Sequence, residues 1–320
     1  MSELWDFNLT VKEPHMRMLL LIALAGLAGQ LVDGALGMAF GITSTTVLLT
    51  GGISPAVASA STHLAEIGTS AASGLSHWRF GNIDWGKILW LAVPGGLSAF
   101  VGATFLTSIP ADAATPVVAV ILFGMGVYIL TRFAFDRSGP TVRAGGLPRW
   151  FLSPLAVVAG FLDAVGGGGW GPVGSSTLLA SRRMEPRKVV GTMAAAEFVV
   201  TLGASAGFLL GLSTSEIPFT IVGALLLGGV VAAPFAAWVV RLMPARVMGT
   251  LVGGLILVTN ARTFLLAIGG DALVGPGMYA AVTAVWLGAV TVAVRAHRRE
   301  KAAVESPEQQ EAPTTPRVEV

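Results

Sequence analysis

The sequence predicts an all-α polytopic membrane protein made of two inverted repeats, each a re-entrant hairpin of broken helix followed by three transmembrane helices, with one extra C-terminal helix. Of its 320 residues, 53% are hydrophobic and 12% are charged, whereas an average soluble domain has about 25% charged residues. Long apolar stretches recur, each near the roughly 20 residues that cross a bilayer as a helix. The alternating pattern of a membrane β-barrel is missing, and the absence of cysteine excludes disulfides and thiolate sites.

An internal duplication is the second observation. VDGALGMAFGITSTTVLL (32–49) aligns with LDAVGGGGWGPVGSSTLL (162–179), and the alignment continues after one inserted residue in the second copy. The aligned pairs are Asp33 with Asp163, Gly37 with Gly167, Gly41 with Gly171, Pro55 with Pro186, and Glu66 with Glu197. Because internal repeats characterise the folds of secondary transporters, the duplication favours transport as the function.

The helices follow in the same order in the two units. The first unit has a broken stretch near 18–50 and helices near 55–77, 87–108 and 112–133. The second has a broken stretch near 150–181 and helices near 187–211, 217–240 and 245–267, and an unpaired helix near 273–294 ends the membrane part. The predicted regions are an N-terminal segment (1–17), a first transmembrane repeat (18–135), a linker (136–149), a second transmembrane repeat (150–267), an additional transmembrane helix (268–294) and a disordered cytoplasmic tail (295–320) that is charged and rich in Pro, Glu and Gln.

Basic residues indicate how the helices face, because Lys and Arg favour the cytoplasmic side. They cluster in the linker, in RRMEPRK (182–188) and in RAHRRE (295–300), whereas the turns near 50–54, 107–112, 211–217 and 268–276 have none. The C-terminus is therefore expected in the cytoplasm, and the second broken stretch, with basic segments on both sides, is expected to enter and leave on the cytoplasmic face. Each limb of about 15 residues, roughly 22 Å long, would reach the middle of the membrane. The first broken stretch would do the same from the other face.

Glycines interrupt both hydrophobic stretches where a new helix begins. A glycine in a helix interior is about 1 kcal/mol less stable than alanine, so the backbone breaks here, and hydroxyl residues suited to N-capping follow. Free N–H groups at a helix start carry about half a positive charge and bind anions. We therefore predict a small-anion site where the two breaks meet; the alternative is that the glycines only form packing surfaces. The predicted site residues are Gly37, Gly41, Thr43, Ser44, Thr45, Gly167, Gly168, Gly171, Ser175, Ser176 and Thr192.

Acidic residues within the apolar segments are a sharper signal, because a carboxylate in mid-span is unfavourable and by default functional. Glu66 and Glu197 share helix faces with Ser and Thr, and we predict that they couple proton movement to transport; alternatively they are structural acids bonded to helix N–H groups. His63 is either a proton relay or a buried core histidine, and its H-x-x-E spacing to Glu66 lacks the second histidine of a zinc motif. Asp33 and Asp163 are expected to close the hairpins by accepting backbone N–H bonds.

At these residues the sequence resembles the sulfite exporter TauE/SafE family, also called TSUP. The resemblance rests on GQLVDGALGMAFGITSTTVLLTGGISPAVASASTHLAEIGTSAASGLSHWRFGNIDW in the first unit and AGFLDAVGGGGWGPVGSSTLL in the second, and it covers about residues 20–267. It implies a carrier in the bacterial inner membrane for sulfur-containing anions such as sulfite, organosulfonates or thiosulfate, and it implies export as the direction.

The leading hypothesis is a secondary transporter of small sulfur-containing anions. The sequence has no G-x-x-x-x-G-K-[ST] nucleotide site, so transport would draw on an ion gradient or on the gradient of the substrate itself. An anion channel is the alternative, since inverted hairpins also build pores, and an intramembrane enzyme is disfavoured because no nucleophile–base pair is evident. The expected partners are the anion, the lipid bilayer and a second copy of the chain in a homodimer, with no cofactor, metal or nucleic acid.

Overall fold

The computed structural model describes residues 16–135, 146–181, 183–242 and 245–305, and in these residues the chain is almost entirely helical with no strand. The helices are α1 (Met16–Leu36), α2 (Phe40–Thr50), α3 (Pro55–Arg79), α4 (Trp85–Ser108), α5 (Ala111–Ala134), α6 (Arg149–Gly166), α7 (Ser176–Ser181), α8 (Pro186–Gly211), α9 (Phe219–Leu242), α10 (Ala245–Ala267) and α11 (Pro276–Glu305). A π-helical turn, Trp170–Ser175, leads directly into α7, and a 3-10 turn, Asp271–Leu273, precedes α11. The predicted all-α fold is confirmed.

Seven helices of the described part of the chain are long and apolar enough to cross a membrane, namely α1, α4, α5, α6, α8, α10 and α11. The chain is therefore a membrane protein. α3 has 25 residues and is long enough as well, but its Ser, Thr, His and Glu side chains lower its hydropathy. Most of these polar side chains are buried inside the protein. Buried polar residues in a membrane-sized helix mark substrate or ion pathways, and α3 is the central element of the candidate site.

Proline and glycine set the helix ends that matter for the site. Pro55 and Pro186 begin α3 and α8, where the missing N–H would have had no partner in the helix. Gly37 and Gly167 follow the last residues of α1 and α6 with φ values of 67° and 68°, the left-handed conformation that glycine adopts at helix ends. The two units therefore break their backbones at equivalent glycines.

Each break is followed by a helix that folds back along the preceding one. A Cβ at Gly29 would lie 3.3 Å from the Cα of Phe40, and a Cβ at Gly174 would lie 3.6 Å from the Cβ of Ala159. In a straight helix either pair would be more than about 15 Å apart. Both broken stretches are therefore helical hairpins.

The limbs of these hairpins are unequal, so the prediction of two limbs of about 15 residues is wrong. In the second hairpin α6 has 18 residues, whereas the π-helical turn and α7 have 6 each; in the first, α1 has 21 residues and α2 has 11. At 1.5 Å per residue α1 is about 31 Å long, which matches the roughly 30 Å hydrocarbon core, while α2 is about 16 Å long. The difference arises because the left-handed glycine and the two residues after it, 37–39 and 167–169, lie outside the helices and are taken from the second limb.

The last helix is longer than the sequence analysis expects. α11 continues to Glu305, beyond the predicted end near 294, because the basic segment RRE and the following KAAVE consist largely of good helix formers. The first part of the predicted disordered tail is thus helical. The remainder of that tail, 306–320, lies outside the described residues, as do 1–15 and most of the predicted linker, 136–145.

Helix packing interleaves the two units. α1 packs on α9, α4 on both α8 and α6, α5 on α10, and α3 on α8. By the duplication, α1 corresponds to α6, α3 to α8, α4 to α9 and α5 to α10. The contact between α1 and α9 therefore corresponds to the contact between α6 and α4, and the contacts α3–α8 and α5–α10 each correspond to themselves. Small residues keep these helices close: a Cβ at Gly102 would lie 2.9 Å from the carbonyl oxygen of Phe161, and one at Gly207 would lie 2.7 Å from that of Phe100. Residues of both units therefore meet at one site.

Candidate functional site

The two backbone breaks lie against each other inside the protein. A Cβ at Gly41 would lie 2.5 Å from the carbonyl oxygen of Gly167 and 3.0 Å from the Cα of Gly168. A Cβ at Gly171 would overlap Met38 and lie 2.6 Å from the carbonyl oxygen of Gly37. Only glycine permits so close an approach of two backbones. The structure thus brings together all five glycines predicted for the site.

An aspartate closes each hairpin. Asp163 Oδ1 accepts hydrogen bonds from the backbone N–H of Gly169 at 2.7 Å and of Trp170 at 2.9 Å. In the first unit, Asp33 Oδ1 accepts from the backbone N–H of Ala39 at 2.9 Å. These amides belong to the helix starts that the sequence analysis assigned to an anion, so some of those donors are already bonded to the protein's own carboxylates.

Two buried hydroxyl groups next to the breaks lack a partner. The Oγ atoms of Ser44 and Ser175 are fully buried and have no hydrogen-bond partner among the described residues. A Cβ at Gly37 would lie 3.8 Å from Ser175 Oγ, which places this hydroxyl beside the first break. A buried hydroxyl left unpaired is unfavourable by about 1–3 kcal/mol. These two groups are therefore available to a ligand.

The remaining hydroxyl residues of the predicted site have other surroundings. Thr45 Oγ1 lies 3.2 Å from the carbonyl oxygen of Gly167, to which it donates, and 3.1 Å from Thr62 Oγ1. Ser176 Oγ donates to the sulfur atom of Met38 at 3.6 Å. Thr43 is half-buried on α2. Thr192 is not among the groups that meet at the breaks: its hydroxyl accepts from the backbone N–H of Asp84 at 2.9 Å and ties α8 to the α3–α4 loop.

His63 of the first unit pairs with Asp163 of the second. Its Nδ1 lies 2.8 Å from the carbonyl oxygen of Ser59, and because a carbonyl only accepts, Nδ1 carries a hydrogen. Its Nε2 lies 3.2 Å from Asp163 Oδ2 and 4.0 Å from Glu66 Oε2. Nε2 and Oδ2 are at hydrogen-bond distance, and that bond needs one proton between them, held either by an imidazolium or by a protonated carboxyl. The sequence analysis missed this pair.

Four carboxylates share this region of the membrane-spanning part. Glu66 interacts electrostatically with Asp163, Glu197 and Asp33, and Glu197 interacts with both aspartates. Glu66 is 4% exposed, and a Cβ at Gly41 would lie 2.9 Å from its Oε1; Glu197 is half-buried. Two like unit charges 4 Å apart repel by about 4 kcal/mol at an effective dielectric constant of 20. The region therefore favours positive charge, protons included.

Three of these side chains are of types that bind metal ions. His63, Glu66 and Asp163 each offer one ligand atom, and these atoms lie within 4.8 Å of one another. However, His63 Nε2 and Asp163 Oδ2 are already hydrogen-bonded to each other. A metal ion would have to displace the shared proton before it could use either atom. The observed geometry is that of a proton-holding pair.

Two cavities lie at opposite ends of α3. One, of about 330 Å³, surrounds its first residues and is lined by Thr50, Ser54, Thr115 and Asn260 among others; we call it the α3-start cavity. The other, of about 450 Å³, lies just beyond the last residues of α3 and is lined by Asp84, Trp85, Lys87, Arg183, Glu185 and Lys188 among others; we call it the α4-start cavity. Thr45, Thr62 and His63, in the interior between the cavities, have no exposed surface, so no open path follows these side chains.

Asn260 is the second feature that the sequence analysis missed. It is 4% exposed, and its Nδ2 donates to Thr46 Oγ1 at 3.1 Å and to the carbonyl oxygen of Ile256 at 2.9 Å. The signal was present, since an amide within the apolar run GLILVTNA is a polar residue in a membrane span.

Comparisons with known proteins identify the family of the chain. A model of the family "Sulfite exporter TauE/SafE" matches residues 21–263, which include both hairpins. The chain is 47% identical over 277 residues to the probable membrane transporter protein YtnM of Bacillus subtilis (strain 168), covering 86% of this chain and 92% of that protein. No solved structure matches the chain. The protein is a membrane transporter that belongs to the sulfite exporter TauE/SafE family.

Proposed function

We propose that this protein is a secondary transporter that exports small sulfur-containing anions, such as sulfite or an organosulfonate, across the bacterial inner membrane, with its C-terminus in the cytoplasm. The observation that carries the proposal is the contact between the two breaks, with the unpartnered hydroxyls of Ser44 and Ser175 beside it. Oxygen atoms of an anion would accept from these hydroxyls. Amides of the two helix starts that the aspartates leave free would add further donors.

Coupling to protons follows from the charge of the site. An anion close to Asp33, Glu66, Asp163 and Glu197 meets strong repulsion unless protons neutralise some of them. Glu66 and Glu197 are the proposed coupling carboxylates. His63 is the proposed relay, because its Nε2 lies 3.2 Å from Asp163 and 4.0 Å from Glu66.

The buried side chains between the two cavities favour alternating access over a continuous pore. The α3-start and α4-start cavities are separated by side chains without exposed surface, among them Thr45, Thr62 and His63. A carrier exposes its site to one side at a time, whereas an anion channel, the alternative function, needs an open path. We infer that the two hairpins move relative to the surrounding helices during transport.

Flux through purified protein in proteoliposomes tests the substrate class. Vesicles loaded with sulfite, sulfoacetate, thiosulfate or a cation control are assayed for saturable efflux and for counter-exchange. We expect at least one sulfur anion to exchange against itself. Flux of the cation alone would refute the anion assignment, and large unitary currents without counter-exchange would identify a channel.

Substitution of the coupling carboxylates tests the proton role. Glu66→Gln and Glu197→Gln keep side-chain size but remove the proton site, and we expect flux to lose its dependence on pH. Glu300→Gln is the matched control, because Glu300 is exposed on α11, pairs with Arg246 at 3.0 Å and lines neither cavity. If both site variants retain the pH dependence of the wild type, the coupling role is wrong.

A further inference from the structure

We propose that the α3-start cavity is the vestibule through which the transported anion passes on the side of the membrane away from the basic loops, and that the Asn260–Thr46 hydrogen bond is its inner gate. The inference rests on the proposed transport function, to which it adds a route and a selectivity residue. The polar residues that line the cavity are Thr50, Ser54, Thr115, Asn260 and Thr263.

The position of the cavity identifies its side of the membrane. It lies at the α2–α3 turn and the first residues of α5, near the final turns of α10. The connections at this end, 51–54, 109–110 and 268–275, contain no Lys or Arg, and in the described residues the helix ends around them carry two basic residues, Arg17 and Arg262. The opposite end carries more, among them Arg183, Arg187 and Lys188. Basic residues favour the cytoplasmic side, so this end faces away from the cytoplasm.

The chemistry of the lining suits an anion. The described residues around the cavity include hydroxyl and amide groups but no acidic or basic side chain. The cavity therefore lacks the negative charge that characterises the centre of the site. A volume of about 330 Å³ is at the lower end of ordinary small-molecule pockets, which fits a small hydrated anion.

A hydrogen bond between the two units lies at the inner end of the cavity. Asn260 on α10 uses both N–H bonds of its amide, one toward Thr46 Oγ1 and one toward the carbonyl oxygen of Ile256. Thr46 is 5% exposed, and the next residue inward, Thr45, has no exposed surface and contacts Thr62. Thr46 lies on α2 between Thr50, which lines the cavity, and the backbone breaks, and this is why we place the gate at its bond to Asn260.

Opening the bond would also supply binding groups. When Asn260 and Thr46 separate, an amide N–H and a hydroxyl that bonded each other both face the passing molecule. Both donate to an oxyanion. We infer that Asn260 selects for oxygen-rich anions as they pass. The described lining has no basic side chain that would bind these anions tightly.

Cysteine labelling tests the vestibule, and the chain has no cysteine of its own. Thr263→Cys reports on the cavity and Val117→Cys on the lipid-facing surface, since Val117 is 40% exposed on α5. Each is treated in proteoliposomes with two impermeant methanethiosulfonate reagents of similar size, one carrying a sulfonate and one a quaternary ammonium group. We expect Thr263→Cys to react faster than Val117→Cys, and to prefer the sulfonate reagent once each rate is divided by the rate of the same reagent with a free thiol in solution. Equal rates at the two positions, or preference for the cation, would overturn the vestibule.

A buried reporter tests the gate. Thr62→Cys lies behind the proposed gate, and we compare its labelling rate alone, with Asn260→Leu and with Thr46→Val. Either added substitution removes the hydrogen bond with little change in size, and each is expected to accelerate labelling roughly fivefold, the equilibrium factor of one ordinary hydrogen bond. Both together should accelerate it no further. Unchanged rates in both variants would mean that the bond only ties the helices together.

These measurements are separate from the test of the proposed function. Labelling needs no transport. If Thr263→Cys labels as expected but the protein shows no sulfur-anion flux, the proposed substrate class is refuted and the vestibule is still supported. Normal flux with an unreactive Thr263→Cys would refute the vestibule alone.

Discussion

Asp163 offers the sharpest test, because its two oxygen atoms have different partners. Oδ1 accepts from the N–H groups of Gly169 and Trp170, and Oδ2 faces His63 Nε2. In the Asp163→Asn variant the amide oxygen keeps both backbone bonds, while the amide N–H donates to the lone pair of a neutral imidazole. The hairpin stays closed, but the site loses a charge and a proton position.

The expected magnitudes separate structure from coupling. Asp163→Ala leaves two buried N–H groups unpaired at about 1–3 kcal/mol each, so we expect a loss of roughly 2–6 kcal/mol in the free energy of unfolding. Asp163→Asn keeps both bonds and should unfold near the wild-type temperature. Asp33→Asn is the matched control, since Asp33 holds the equivalent position and, within the described residues, pairs with no histidine.

Thermal unfolding of the purified variants and anion flux in proteoliposomes over a range of pH are the two assays. We expect Asp163→Asn to be stable with flux that no longer depends on pH, and Asp33→Asn to retain that dependence. An Asp163→Asn variant as unstable as Asp163→Ala would refute the role of the two backbone bonds. A stable Asp163→Asn variant whose flux depends on pH as in the wild type would refute the proton-holding role of the His63–Asp163 pair.

Three further predictions concern single contacts. Gly41→Ala places a methyl group 2.5 Å from the carbonyl oxygen of Gly167 and should lower the free energy of unfolding by about 1–3 kcal/mol. The control is Gly124→Ala on α5, which has open space around it and should leave the free energy of unfolding unchanged or raise it by up to about 1 kcal/mol. Trp170→Phe loses the Nε1–H bond to the carbonyl oxygen of Met193 at 3.0 Å and should lower the unfolding free energy by about 1–3 kcal/mol. In the α8–α9 loop, hydrogen bonds from the hydroxyl and the N–H of Ser213 lower the pKa of Glu216 below 4.5, so the loop should become more sensitive to proteolysis as pH falls through that lowered pKa. Ser213→Ala removes the hydroxyl bond and keeps the backbone one, so it should weaken this pH response.

Much of the fold follows from local sequence signals. Pro55 and Pro186 mark helix starts, and the glycines at 37 and 167 mark helix ends, because each acts through its own backbone geometry. The lengths of the hairpin limbs could not be read in the same way. Composition identifies where a hydrophobic stretch is interrupted, but the residues at which the second limb begins and ends depend on the backbone against which the hairpin packs.

The pairing of His63 with Asp163 shows a different limit. The two residues are 100 positions apart, and aligning the units sets His63 opposite Ala194, which makes the histidine look isolated. The pair breaks the symmetry of the duplication, so the comparison that located Asp33, Asp163, Glu66 and Glu197 could not reveal it. Contacts between helices of different units depend on how those helices pack, and the sequence of one unit does not indicate which side chains of the other unit it will contact.

The aspartates change what an anion would bind. Asp33 and Asp163 already accept from amides at the two helix starts, so the positive ends of those helices are partly neutralised within the protein. An anion therefore gains less from the helix dipoles than bare helix ends would give, and relies on Ser44, Ser175 and protonation of the carboxylates. Linkage makes that dependence mutual: if proton binding strengthens anion binding by some factor, anion binding strengthens proton binding by the same factor. A site of this composition favours the fully loaded and the fully empty states, so proton and anion would cross together. Export would then draw on the outward gradient of the anion, because the protons leave the cell with it.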